Sequence, residues 1–286
     1  MMKLAKTLPA KEVITQTGFS RKEAKLLEKG IQLFRLLEDK GVASKTMTVG
    51  GFAIRFYIND KFTDNMKRGS ATDVDLAFIQ IPDWIKTYLR LEHLIEVERV
   101  NLTTLKAADN CQTIKQTPHT VYHIQPQYEK SMELLSDVCF FEQNVTLIKI
   151  RPEDLERVSI LTVHTMINGV NIEAPLRVAD PGFLLATIFN ASAATEMRVL
   201  RGIMMLASQD KAERTETIER YAEIVTANGL ADGHGNLALH EPFSYLKQNE
   251  VWGKRNLRPI INEFIEAVQT KIGKIVDPNK LTVDST

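Results

Sequence analysis

Cysteine is scarce in this chain of 286 residues: Cys111 and Cys139 are the only two, and they form no metal-ligand spacing. A disulfide scaffold is therefore not expected, and a reduced, cytoplasmic protein is. An excess of either charge is also lacking, since Lys plus Arg and Asp plus Glu both number 36. That balance argues against nonspecific coating of nucleic acid, while leaving room for a local basic patch that grips one RNA end. No apolar run reaches the ~18 residues that a membrane span needs, so no membrane partner is expected. The opening Met1-Met2-Lys3-Leu4-Ala5-Lys6 is followed by no apolar run, so it does not read as a signal peptide. Neither a G-x-G-x-x-G fingerprint nor a Walker loop occurs, and no internal repeat or low-complexity tract interrupts the chain. What remains is the composition of an ordinary globular protein, 44% hydrophobic and 25% charged, long enough for one large or two medium domains.

The informative text is Val49-Gly50-Gly51-Phe52-Ala53-Ile54-Arg55, followed by Arg68-Gly69-Ser70-Ala71-Thr72-Asp73-Val74-Asp75-Leu76. It reads as a strand, a glycine turn, a short helix, a loop and a second strand. Asp73 and Asp75 are two apart, so on a strand both point to one face while Val74 and Leu76 point to the other. Two adjacent carboxylates repel unless a cation sits between them, and hard divalent ions take oxygen ligands and bring phosphates with them. Adjoining glycines let backbone N–H groups approach a phosphate with no side chain in the way. Together these elements describe a nucleoside-triphosphate site with Mg²⁺ or Mn²⁺.

The pattern around this core predicts a mixed α/β half followed by a helical half. Ser20-Arg21-Lys22-Glu23 is a capping box, and Ala24, Leu27, Ile31, Phe34 and Leu37 continue at helical spacing. Gln16–Ser20 faintly suggests a helix-turn-helix that would read DNA, although the capping box by itself accounts for the turn. Strands are expected at Thr46–Val49, Asp73–Ile81, Val121–Ile124, Leu134–Phe141 and Val145–Ile150, with a helix at Phe52–Ile58 and another opening at Asp83. His164–Ile172 reads as a hairpin turning at Asn168-Gly169. Asp180-Pro181 is an N-cap followed by proline at the first helical position. Helices are expected beyond it at Pro181–Ala207, Thr215–Ala227, Pro242–Gln248 and Leu257–Ile272. The boundary between the two domains, 1–178 and 179–286, falls just before Asp180.

Nucleotidyl transfer by two metal ions about 4 Å apart commonly uses a third carboxylate on a neighbouring strand. Asp137, inside the apolar run Leu134-Leu135-Ser136-Asp137-Val138-Cys139-Phe140-Phe141, is the best candidate, because an unpaired charge there would be costly. Glu133 and Glu142, at the ends of the same segment, are weaker alternatives. Arg55 and Arg68 flank the glycine turn and the aspartate strand and could reach phosphates. Arg198 and Arg201, one helical turn apart, could do the same or be a solvated helix face.

Val49-Gly50-Gly51 with Thr72-Asp73-Val74-Asp75-Leu76 resembles the signature of the DNA polymerase beta-like nucleotidyltransferase superfamily. Within it the chain is most similar to the AbiEii-type nucleotidyltransferases, the toxin components of abortive-infection toxin–antitoxin systems. The likeness extends to the Asn168-Gly169 hairpin and to the helix opening Asp180-Pro181-Gly182-Phe183-Leu184-Leu185-Ala186. It implies a nucleotidyltransferase-type mixed sheet domain followed by a helical domain. It further implies transfer of a nucleoside monophosphate from an NTP to an acceptor, either the 3′ end of a transfer RNA or a protein. Asp73, Asp75 and Asp137 would hold the metals and Gly50 and Gly51 the phosphates, and a cognate antitoxin would be a partner. The chain departs from the family in three ways, one being that Arg198-Val199-Leu200-Arg201-Gly202-Ile203-Met204-Met205 stands where the family carries a Lys-Asp-x-x-Asp-like stretch. More residues separate Gly51 from Asp73 than is usual. No lysine stands at Leu185-Ala186-Thr187-Ile188-Phe189-Asn190, where the family carries a catalytic one. The alternative implied is a weakened member that binds nucleotide or a macromolecule through the same fold.

Overall fold

The first long helix starts where its capping box places it. The computed structural model describes residues 8–17, 19–58, 71, 73–85, 120–123, 138–167, 169–189, 196–228 and 257–272. In it, β1 (Leu8–Pro9) and α1 (Ala10–Thr17) precede α2 (Arg21–Asp39). The Ser20 hydroxyl accepts from the Glu23 N–H, and the Glu23 carboxylate accepts from the Ser20 N–H at 2.9 Å. Leu26, Leu27, Ile31, Phe34 and Leu37 form the buried stripe of α2, which packs on the sheet. Each such side chain contributes roughly 1.5–3 kcal/mol on leaving water.

Seven strands make one mixed sheet in the order β1-β8-β9-β2-β3-β5-β4. Its centre is β2 (Thr46–Val49), antiparallel to β3 (Val74–Phe78), which is parallel to β5 (Val138–Glu142). On one side β5 pairs with β4 (Thr120–His123). On the other, β2 adjoins the long hairpin of β8 (Ser159–Ile167) and β9 (Val170–Val178). The hairpin is nine residues to a strand, longer than the sequence pattern suggests, because Leu161, Val163, Ala174 and Leu176 alternate inward and are buried. Between β5 and β8 a small separate hairpin, β6 (Asn144–Val145) with β7 (Ile148–Lys149), replaces the single strand expected at 145–150. It is followed by the short α4 (Pro152–Glu156).

Every described element after the sheet is helical: α5 (Pro181–Phe189), α6 (Glu196–Ser208), α7 (Lys211–Ala227) and α8 (Arg258–Ile272). The one helix expected over 181–207 is therefore two, with residues 190–195 outside the described residues. Capped by Asp210, whose side chain accepts from the Glu213 N–H, α7 begins at Lys211, four residues before the predicted Thr215. Phe189, Tyr221 and Phe264 meet edge to face, with centroids 5.2 to 6.1 Å apart, and join α5, α7 and α8. The helix expected at 242–248 and most of the one opening at Asp83 lie outside the described residues. No described helix is long and apolar enough to cross a membrane.

Candidate functional site

Register brings the aspartates to the glycines. In the antiparallel pairing of β2 with β3, Asp75 lies opposite Val49, the residue before Gly50. Gly50 has φ +69°, and a Cβ there would stand 1.8 Å from Asp75 Oδ2. A side chain at position 50 is thus excluded twice, by backbone conformation and by the carboxylate. The glycines are also the first turn of α3 (Gly50–Arg55) rather than a loop ahead of it, so the helix expected from Phe52 begins two residues sooner.

On its other side, β3 pairs in parallel with β5, and Asp75 lies opposite Cys139. One carboxylate oxygen each from Asp73 and Asp75 and the Cys139 sulfur all fall within 4.8 Å of one another. The Cys139 thiol donates to Asp73 Oδ2 at 3.6 Å. Burial, then the charges of Asp75 and Asp73, push that thiol well above its ordinary range, so it acts as a neutral donor. Burial and the Asp73 charge raise the Asp75 carboxyl to about 8, against the smaller opposing effects of Cys139 and Arg198. The apo pair therefore retains a proton near neutral pH. Two like charges held together beside open space suit a hard divalent cation, whose remaining ligands would be water and phosphate oxygens.

The space is a cavity of about 370 Å³. One end is bounded by Gly50, Gly51, Asp73, Asp75, Arg198 and Arg201. The other is bounded by Phe141, Val145, Thr146, Thr187 and Ile188. Arg201 is half-buried and leans over the second glycine: a Cβ on Gly51 would meet its guanidinium nitrogen at 2.7 Å. Burial lowers the Arg201 pKa from its usual value, and its Nε is buried without a hydrogen-bond partner. An arginine in that state keeps its charge. Arg198 is exposed at the rim.

Not every expected residue arrives here. Arg55 does not line the cavity; it is buried, and its Nε donates to Glu23 Oε1 at 3.0 Å. Its guanidinium also stacks 5.6 Å from the Phe19 ring centroid. The reason is position: Arg55 is the last residue of α3 and faces the N-terminus of α2. Glu142 is likewise elsewhere, accepting from the Ile81 N–H. Arg68, Asp137 and Glu133 lie outside the described residues. Conversely, sequence reasoning passed over Cys139, although strand alternation puts it on the same face as Asp137. It read Glu23 as the capping-box carboxylate, which it is, but not as the partner of Arg55 and the acceptor of the Ala71 N–H at 3.3 Å. Thr146 and Thr187 carried no signal.

A scan of protein-family models finds none that matches this chain, and a search of curated proteins finds no match either.

Proposed function

We propose that this cavity binds a nucleoside triphosphate with a divalent cation, Mg²⁺ or Mn²⁺, and that the protein is a nucleotidyltransferase. The observation that carries this reading is the meeting of Asp73 and Asp75 with the bare backbone of Gly50. Asp73 and Asp75 would hold the cation, with Asp137 the expected third carboxylate. The cation, when bound, neutralises the triphosphate and polarises the phosphorus under attack. Gly50 and Gly51 let Asp75 and Arg201 close against the backbone, and the β- and γ-phosphates would lie beside them in the cavity. Arg201, and Arg198 at the rim, offset the remaining negative charge, which counts most where charge builds on the leaving group. The acceptor would be an RNA 3′ end or a protein hydroxyl. A toxin role with a cognate antitoxin is part of the same proposal and rests on the sequence resemblance alone.

A second reading is favoured by one specific feature. No lysine lines the cavity among the described residues, and the helix turn where the family lysine would stand presents Thr187 and Ile188. A protein that binds nucleotide and turns over slowly, or only binds, would have this wall. Incubation with labelled NTPs, Mg²⁺ and total RNA or lysate separates the two. Label appearing on an acceptor, and lost in Asp75→Ala, is the result expected of the enzyme. Nucleotide binding without transfer identifies the binder, and absence of binding rejects both.

A further inference from the structure

Thr146 holds a backbone conformation that its own side chain disfavours. It is the first of the two residues joining β6 to β7, and its φ is +55°. Glycine is the usual occupant of that turn position when φ is positive, and a β-branched residue there is a genuine outlier. Strain of this kind persists where the surroundings hold it, and it gathers at ligand sites. The surroundings here are explicit. The Thr146 hydroxyl donates to the Thr187 carbonyl, in the last turn of α5, at 3.1 Å. On the far strand of the same hairpin, the Lys149 N–H donates to Asn228 Oδ1 at 2.9 Å. The hairpin is thereby pinned to α5 and to the end of α7, and its tip forms part of the cavity wall.

That wall has a different chemistry from the floor. Val145, Thr187 and Ile188 are buried and Phe141 is half-buried, while the floor carries two carboxylates and two arginines. A ligand that satisfies both ends is polyanionic at one and largely apolar at the other. Inorganic phosphate chains satisfy only the floor. Thr146 is half-buried at the cavity wall, and its hydroxyl proton is given to Thr187, so its oxygen is left as an acceptor. A base N–H or a sugar hydroxyl is the matching donor.

We infer that the wall of Phe141, Val145, Thr146 and Ile188 seats the base and sugar of the nucleotide, and that Thr146 sets the shape of this seat. The inference rests on the floor being a cation–polyphosphate site and adds the part of the substrate that the floor does not touch. Thr146→Gly suits the test, because glycine relieves the turn, so folding is preserved, while the hydroxyl tie and the Thr146 part of the wall are removed. Thr146→Ser keeps the tie. Binding of inorganic tripolyphosphate and of each ribonucleoside triphosphate is measured by calorimetry with Mn²⁺ at pH 8.5. The wild type is expected to bind at least one nucleoside triphosphate about tenfold more tightly than tripolyphosphate. Thr146→Gly should bring the two within about threefold without changing tripolyphosphate binding, and Thr146→Ser should behave as wild type. Equal binding of both probes by the wild type, or parallel losses for both in Thr146→Gly, overturns the seat and leaves the floor standing. If neither probe binds the wild type, the polyphosphate site falls and the seat with it.

Discussion

Three groups of charged side chains lie in the interior of this chain, and one is balanced differently from the other two. At the end of α2, Glu23 is met by Arg55, by the Ala71 N–H and by the Ser20 N–H. Under α7, Arg220 pairs with Asp154 and stands 3.9 Å from Asp180, with Glu223 at 3.2 Å. In both places a carboxylate faces a guanidinium; Asp154 and Arg220 border a second cavity of about 200 Å³, but their charges are already matched to one another. At the floor of the cavity the arrangement is reversed: Asp73 and Asp75 crowd one another, and the carboxyl of Asp75 is raised to about 8. Charge that the fold compensates itself is structural. Charge that it concentrates beside open space points to a ligand that completes the balance.

The contrast predicts opposite signs for two superficially similar substitutions. Glu23→Ala removes the carboxylate that faces the buried Arg55 guanidinium and should cost about 3–5 kcal/mol in denaturant unfolding. A loss below about 1 kcal/mol would mean that the pair is not the brace described. Asp75→Asn removes a repulsion rather than an attraction. At pH 9 without metal it should stabilise the fold by on the order of 1–2 kcal/mol, once screening is allowed for. Destabilisation there would place Asp75 among the structural carboxylates.

The smallest effect is in the pH profile. Asp75 titrates at about 8 in the folded chain against an ordinary 3.8, so between those values the folded state holds a proton that the unfolded chain has released. Apo stability should therefore fall as pH rises from about 4 to about 8 and level off above. Melting curves across that window should show the decline in the wild type and a flatter profile in Asp75→Asn.

How much of this was legible in the sequence depends on what kind of signal each feature leaves. The capping box at Ser20, the D-x-D strand and the N-cap at Asp180 are local signals, and the elements they mark are present. The mixed α+β class followed from them. Register is not local: nothing in the text placed Asp75 opposite Val49, and that pairing is what makes Gly50 obligatory. Arg55 looked like a phosphate ligand because it lies near the glycines in sequence. One and a half turns of helix carry it to the side facing Glu23 instead. Residues 145–150 look like one strand because they are β-branched and apolar. The turn at Thr146 defeats that pattern, since threonine is the wrong residue for its conformation.

Titration of Mn²⁺ with a non-hydrolysable nucleoside triphosphate at pH 8.5, into wild type and Asp75→Asn, tests the central claim most directly. Saturable binding of the metal–nucleotide pair by the wild type, weakened about a thousandfold in a folded and more stable Asp75→Asn, is the predicted result. A wild type that binds neither component, or a variant that binds both as well as the wild type does, would contradict it.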